Sequence, residues 1–232
     1  MGILESYDVL CASTDELPTY ATQSISNFFL DRFTGSLNDV FCELAVDLPL
    51  TFRAIEENYS KPIVGIKTIG GRKKYDLLLE GVDRSLVGDL YNRNFYDLYD
   101  FNEQYKMLPV QLRSYYRVTQ GMQIVKDAAV PAFSWKDLPL SLGGRRNVSE
   151  IGDVLKCSES DIRIIPFHQE LFVWMVGNHG DLLLINEDDG KFYHSQIGYI
   201  DDLFEIEESV KYWDNYCSYV FACGVNAGFV FR

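Results

Sequence analysis

Basic residues are scarce in this chain. Its 232 residues hold 21 Lys and Arg against 34 Asp and Glu, a formal net charge of −13 with His neutral. That sign argues against direct binding to nucleic acid or to an anionic membrane surface, and suits a basic partner. Cysteine is sparse as well. Cys11, Cys42, Cys157, Cys217 and Cys223 make an odd set of five with no CxxC pair. A disulfide framework is therefore not expected, and reduced, mostly buried thiols in a cytoplasmic protein are. Long apolar runs are missing. The stretch 171–176 is typical of the longest, far below the roughly 20 residues of a membrane-spanning helix. The opening Met1-Gly2-Ile3-Leu4-Glu5 has no basic or apolar leader region, so no secretory signal is expected. Gly2 with Ser6 meets only the minimal acylation pattern, and one acyl chain without a basic cluster holds membranes weakly.

What is present suits a folded chain. Hydrophobic residues make up 47% and aromatics 14%, enough for a sizeable core. The length fits one large domain or two small ones. Charge is spread evenly: residues 1–100 hold 9 basic and 16 acidic residues, and the remainder holds 12 and 18. No Gly, Ser or Pro linker divides the halves.

The apolar pattern opens helical. Ile25, Phe28, Phe29 and Phe33 recur at helical spacing, and Gly35 ends the segment. Ser36 and Asn38 are placed to cap a short helix carrying Val40, Phe41 and Leu44. Pro49 starts another, with Phe52, Ile55 and Tyr59 on one face. Two strand-like runs follow, 62–69 and 74–82, joined by the hairpin signal Gly70-Gly71. Helices are predicted over 86–105, on Leu86, Leu90 and Leu98, and over 108–121, between Pro109 and Gly121. A short helix is predicted over 149–155. Strands are predicted over 162–167, 171–176, 181–186 and 191–194, close enough for an antiparallel meander. The segment 201–217 reads as the clearest helix, with Leu203, Ile206, Val210, Trp213 and Cys217 stepping by three and four. The tail ends in a strand-like run, 228–231. The expected fold class is α+β: a mostly antiparallel sheet flanked by helices, with an N-terminal α/β extension.

Chemical motifs are few. His168, His179 and His194 with Cys157 fit no compact zinc spacing, and read better as histidines at turns and strand ends. Gly143-Gly144-Arg145-Arg146 reads as a solvated turn, and no phosphate loop is present. No nucleophile elbow exists, and Cys157 reads as a core thiol. Neither metal, cofactor nor catalytic residue is expected. Acidic clusters stand out instead: Glu187-Asp188-Asp189, Asp201-Asp202 and Glu205 with Glu207 and Glu208. Each suits a turn, a helix cap or a solvated face, and equally an acidic surface that meets a basic partner.

One family resemblance attaches to residues 104–217. The run Leu108-Pro109, Leu112-Arg113, Tyr115-Tyr116-Arg117, Thr119 and Gly121 resembles the opening helix of the SUKH superfamily. Ile164-Ile165-Pro166-Phe167 is similar to its IPF-like strand, and 181–186 to the strand after it. Gly190-Lys191-Phe192-Tyr193 resembles its hairpin arm, and Asp202-Leu203-Phe204-Glu205 the start of its closing helix. Thr119-Gln120-Gly121 departs from the usual Asn-Gly ending. The resemblance divides the chain into residues 1–103, a helical and hairpin extension or small domain, and residues 104–232, a SUKH-like α+β domain. It implies an immunity protein that binds and neutralises a polymorphic toxin domain, a nuclease among the candidates, by occluding it. The alternative it implies is a non-catalytic regulatory adaptor in a eukaryotic or viral cell. The expected interface uses Glu187, Asp188, Asp189, Glu205 and Glu208, with Trp135 or Tyr199 as aromatic anchors.

Overall fold

The computed structural model describes residues 3–82, 84–93, 110–126, 146–147, 171–176, 182–186, 191–195, 204–206 and 209–223. The predicted segments 149–155, 162–167 and 228–231 lie outside them.

A short strand, β1 (Val9–Cys11), precedes five helices: α1 (Thr19–Ser24), α2 (Asn27–Leu30), α3 (Leu37–Val40), α4 (Cys42–Asp47) and α5 (Pro49–Asn58). Local chemistry sets their ends. Ser26 caps α2, its hydroxyl accepting from Phe29 N at 3.3 Å. Pro49 opens α5, where its missing N–H leaves nothing unsatisfied. Phe52 and Ile55 enter the core from α5, and Tyr59 follows them just past its end.

Next come β2 (Ile63–Ile69) and β3 (Arg72–Glu80), the expected hairpin. Gly70 and Gly71 have φ of +55° and +79°, the left-handed pair that a tight two-residue turn requires. β4 (Arg84–Leu90) follows, where a helix over 86–105 was predicted. Ser85, Leu86, Val87 and Gly88 are all buried, so β4 is covered on both faces and shows no alternation to betray it. The predicted helix over 108–121 is likewise shorter. It runs as α6 (Val110–Arg113) and α7 (Tyr115–Val118), then the chain extends into β5 (Thr119–Lys126). Pairing with β4, from Arg84↔Lys126 to Leu90↔Thr119, takes the residues that the helix would have used.

The first sheet thus has the order β1-β2-β3-β4-β5, every pair antiparallel. The second has the order β10-β9-β8-β7-β6, built from β6 (Arg146–Asn147), β7 (Leu171–Val176), β8 (Leu182–Asn186), β9 (Phe192–Ser195) and β10 (Phe204–Ile206). It is also antiparallel throughout, the expected meander. The helix predicted over 201–217 starts late. Phe204–Ile206 is β10, paired with β9, and α8 (Ser209–Cys223) begins after it. The fold is α+β.

Val64, Ile66, Leu77, Leu79, Leu86, Met122 and Ile124 line one face of the first sheet and meet the helices in a single core. α8 completes that core with Trp213, Cys217 and Phe221, spaced four apart and each at most 1% exposed. Tyr115 packs edge-on against Trp213, ring centroids 6.3 Å apart. Polar contacts at both ends of α5 fix α8 on it, Thr51 Oγ1 donating to Asp214 O at 3.2 Å among them. The Asp214 carboxylate accepts from Leu50 N at 3.1 Å and Thr51 N at 2.7 Å, capping the start of α5. Tyr59 OH donates to Phe221 O at 3.1 Å, at the other end. Arg117 of α7 is tied back to α4, its Nε 2.9 Å from Glu43 Oε2. β5, α7 and α8 therefore share one core with residues 9–90, across the boundary that the resemblance draws at 103/104.

Candidate functional site

A charged cluster lies on the face of the first sheet opposite the helices. Side chains alternate along a strand, so Gly65 and Lys67 of β2, Lys74 and Asp76 of β3, and Asp89 of β4 share that face. Asp76 stands directly across the ladder from Asp89. A register shift between Gly88 and Leu90 leaves Asp89 at an irregularity in the β4–β5 ladder. Tyr7 joins from the segment before β1, its hydroxyl donating to Asp76 Oδ2 at 2.8 Å.

The Asp76 side chain is fully buried, and cations surround it. Lys67 Nζ is 2.8 Å from Oδ2 and Lys74 Nζ is 3.3 Å from Oδ1. Lys74 also pairs with Asp89. Burial alone would push the Asp76 carboxyl up. Hydrogen bonds from Asp89, Lys67 and Tyr7, with the Lys74 charge, outweigh burial and hold it below the ordinary carboxylate range. Asp89 goes the other way, raised by burial and by its hydrogen bond to Asp76. Two facing carboxylates thus divide the roles: Asp76 keeps its charge and Asp89 keeps the proton more readily. Burial lifts the Tyr7 phenol far above its usual value, and the Asp76 hydrogen bond adds to this, so Tyr7 remains a donor. Burial would lower Lys74, but the Asp89 hydrogen bond and the Asp76 charge raise it, so it remains a cation. The cluster is an acceptor site for a phenol, balanced by two ammonium groups.

Of the surface expected from the sequence, Glu205 is placed. It is exposed on β10, an edge of the second sheet, and its Oε1 is 2.8 Å from Lys191 Nζ. It was expected on a helix, and strand pairing with Tyr193 puts it on the edge instead. Glu187, Asp188, Asp189, Glu208, Trp135 and Tyr199 lie outside the described residues, as do Cys157, His168 and His179. His194 is on β9, opposite Phe204. Among the described residues no group of His, Cys, Asp or Glu is gathered to hold a metal. Cys11 and Cys217 are buried free thiols, and Cys42 is an exposed one.

Comparison with family models, curated proteins and solved structures finds no match. The site stands on its own geometry. The sequence did carry a signal for the buried cluster. Lys74 and Asp76 alternate with Tyr75 and Leu77 just before the apolar run Leu77-Leu78-Leu79, which sets a carboxylate at the edge of a buried stretch and demands a partner for it. Among the described residues, no helix is long and apolar enough to cross a membrane.

Proposed function

We propose that this chain is a non-catalytic binding protein of the immunity kind, which occludes a basic protein partner such as a toxin domain. The observation that carries the reading is the charge balance, 34 acidic against 21 basic residues. Opposite charge raises encounter rates and fixes the partner's orientation. Glu205 fits this role. Its pairing with Lys191 is half-exposed on both sides, and such pairs are worth about 0–1 kcal/mol. A partner's Arg or Lys can therefore replace Lys191 at little cost. The sequence offers Glu187, Asp188, Asp189 and Glu208 as further partner-binding carboxylates in this reading, with Trp135 or Tyr199 as anchors. A nuclease is a fitting target class, because a surface that holds phosphate is basic.

The test is a tagged pull-down from source cells with mass spectrometry of any stoichiometric partner, then affinity against salt. Reversing Glu187, Asp188, Asp189 and Glu205 to Lys should weaken binding and flatten its salt dependence. Unchanged affinity and slope would refute the acidic surface. A host regulatory protein as the captured partner would replace the immunity reading with the adaptor reading.

A further inference from the structure

The β2–β3 hairpin outruns the sheet that carries it. β1 pairs with β2 only as far as Ile66, and β4 pairs with β3 only as far as Asp76. Beyond those points Lys67↔Lys74, Thr68↔Lys73 and Ile69↔Arg72 pair only with each other among the described residues. Thr68 to Lys73 are all exposed, and a Cβ added at Gly70 or Gly71 would meet nothing within 4 Å. Three residue pairs at about 3.3 Å each carry the tip roughly 10 Å past its neighbours. That exceeds the Debye length at physiological salt, about 8 Å, so the tip is largely screened from the acidic body.

The arm is charged against the rest of the chain. Residues 67–75 hold Lys67, Arg72, Lys73 and Lys74 and no acidic residue, in a chain with 34 Asp and Glu. Lys67 and Lys74 are engaged by Asp76 at the base. Arg72 has no side-chain partner among the described residues. Lys73 reaches Asp8 only at 3.9 Å, with both ends half-exposed, a pair that a better acceptor displaces readily.

The backbone beside these cations is open. Gly81 N donates to Arg84 O at 2.7 Å, which sets the alternation along β3. Leu79, Leu77, Tyr75 and Lys73 therefore turn their N–H and C=O toward the β4 side. Leu79 and Leu77 meet Leu86 and Gly88 there. Tyr75 and Lys73 have no β4 residue opposite, because β4 leaves at the Asp89 irregularity. Leu90 pairs with Thr119 instead, and Asn92 bridges to Ile25 beside the helices. Among the described residues, two donors and two acceptors thus lie without a ladder partner, on an edge lined by Arg72, Lys73 and Lys74. Cations on such an edge turn away a neutral strand and favour one that brings carboxylates.

We propose that the β3 edge of this arm, from Arg72 to Tyr75, binds an extended acidic segment of another protein, added antiparallel where β4 has turned away. The register gives its pattern. The residue opposite Tyr75 is apolar, because Tyr75 packs against the core. The next three, opposite Lys74, Lys73 and Arg72, are acidic. Nucleic acid would meet the cations and leave the ladder groups unpaired. A membrane would find one apolar side chain to take in, Ile69 at 57% exposed. The proposal goes beyond the acidic surface, which takes a basic partner, so either reading can fail without the other.

The experiment titrates the full chain with a labelled peptide, a valine followed by three glutamates between Gly-Ser flanks, by fluorescence anisotropy. Saturable binding is expected, at least about fivefold tighter than for the same peptide with three glutamines. Methylating the backbone nitrogens of the valine and the second glutamate, the two that face β3, should weaken binding by at least about fivefold as well. Arg72→Glu with Lys73→Glu should abolish the preference for glutamate. Arg53→Glu with Lys61→Glu, the same charge change at other exposed positions, should leave it intact. Absence of saturable binding, equal binding of the glutamine or the methylated peptide, or equal loss in both double variants overturns the proposal. So does a single-stranded oligonucleotide of the same charge that competes as well as the peptide, which would make the arm a nucleic-acid contact. If Arg72→Glu with Lys73→Glu does not fold, the two peptide comparisons on the wild-type chain decide.

Discussion

Removing the Asp214 carboxylate should unlatch α8 from α5. In Asp214→Ala, the N–H groups of Leu50 and Thr51 lose their acceptor where Asp214 is only 6% exposed. The magnitude has two parts. Losing a helix cap costs about 0.5–2 kcal/mol. Leaving a buried donor unpaired costs about 1–3 kcal/mol, and here the lost acceptor was a carboxylate. Both N–H groups belong to the first turn of α5, so the parts overlap, and about 3 kcal/mol is the central expectation. For a chain of this size each kcal/mol moves Tm by about 2–4 °C, which gives a fall of roughly 6–12 °C by calorimetry or circular dichroism. Asp214→Asn keeps the shape and one acceptor, and should lose about half as much. Tyr59→Phe removes the contact at the other end, to Phe221 O at 3.1 Å, and should add to Asp214→Ala if the two ends act independently. A fall under about 2 °C in Asp214→Ala would refute the reasoning. It would mean that Trp213, Cys217 and Phe221, with the remaining hydrogen bonds from Tyr59 and Thr51, hold α8 in place without the carboxylate.

Three further outcomes follow from the sheet and its cluster. Gly65→Ala should cost about 1–3 kcal/mol in a denaturant titration, because its Cβ meets Tyr7 and Leu78 at 2.6 Å. A cost near zero would mean that Tyr7 and Leu78 both give way freely. The two carboxylates should give opposite pH signatures in Tm. Asp76 is held below the ordinary range, so its contribution is present above the unfolded value, about pH 4, and is lost as pH falls through the lower folded value. Asp89 is raised, so its contribution is present below the unfolded value and is lost as pH rises through the higher folded one. Asp76→Asn should therefore flatten the acid limb of Tm against pH, while Asp89→Asn should gain stability at neutral pH relative to acid pH. The same trend in both variants would contradict the assignment. Gly71→Ala, at φ +79° in the hairpin, should cost about 1–2 kcal/mol.

Parts of this fold were legible in the sequence because local chemistry decides them. Pro49 starts α5, Gly70-Gly71 turns β2 into β3, and the close strands 171–176, 181–186 and 191–194 pair as a meander. The failures share a cause: pairing at a distance overrode local spacing. Leu86 and Leu90 are four apart and look helical, but β4 lies between β3 and β5 and is buried on both faces. Thr119 and Gly121 looked like the end of a helix, yet β4 draws them into β5. Phe204 and Ile206 alternate around Glu205, a strand pattern of three residues that the strong helix behind it concealed. The buried cluster was harder still. Tyr7, Lys67, Asp76 and Asp89 come from four segments, and only the ladder register brings them onto one face. Glu205 was legible as an exposed carboxylate, but its place on an edge strand was not.

The Asp214 cap also sets an order of events during synthesis. Thr51 and its acceptor are 163 residues apart in sequence. A ribosome adding about 5–20 residues per second needs roughly 10–30 s to make that interval. Throughout it the first turn of α5 emerges with its N–H groups uncovered, and the bed for Trp213 stands open. β1 to β4 can pair as they appear, neighbour to neighbour. Closure of the core waits for α8, which makes the nascent chain, rather than the finished one, the form most in need of a chaperone.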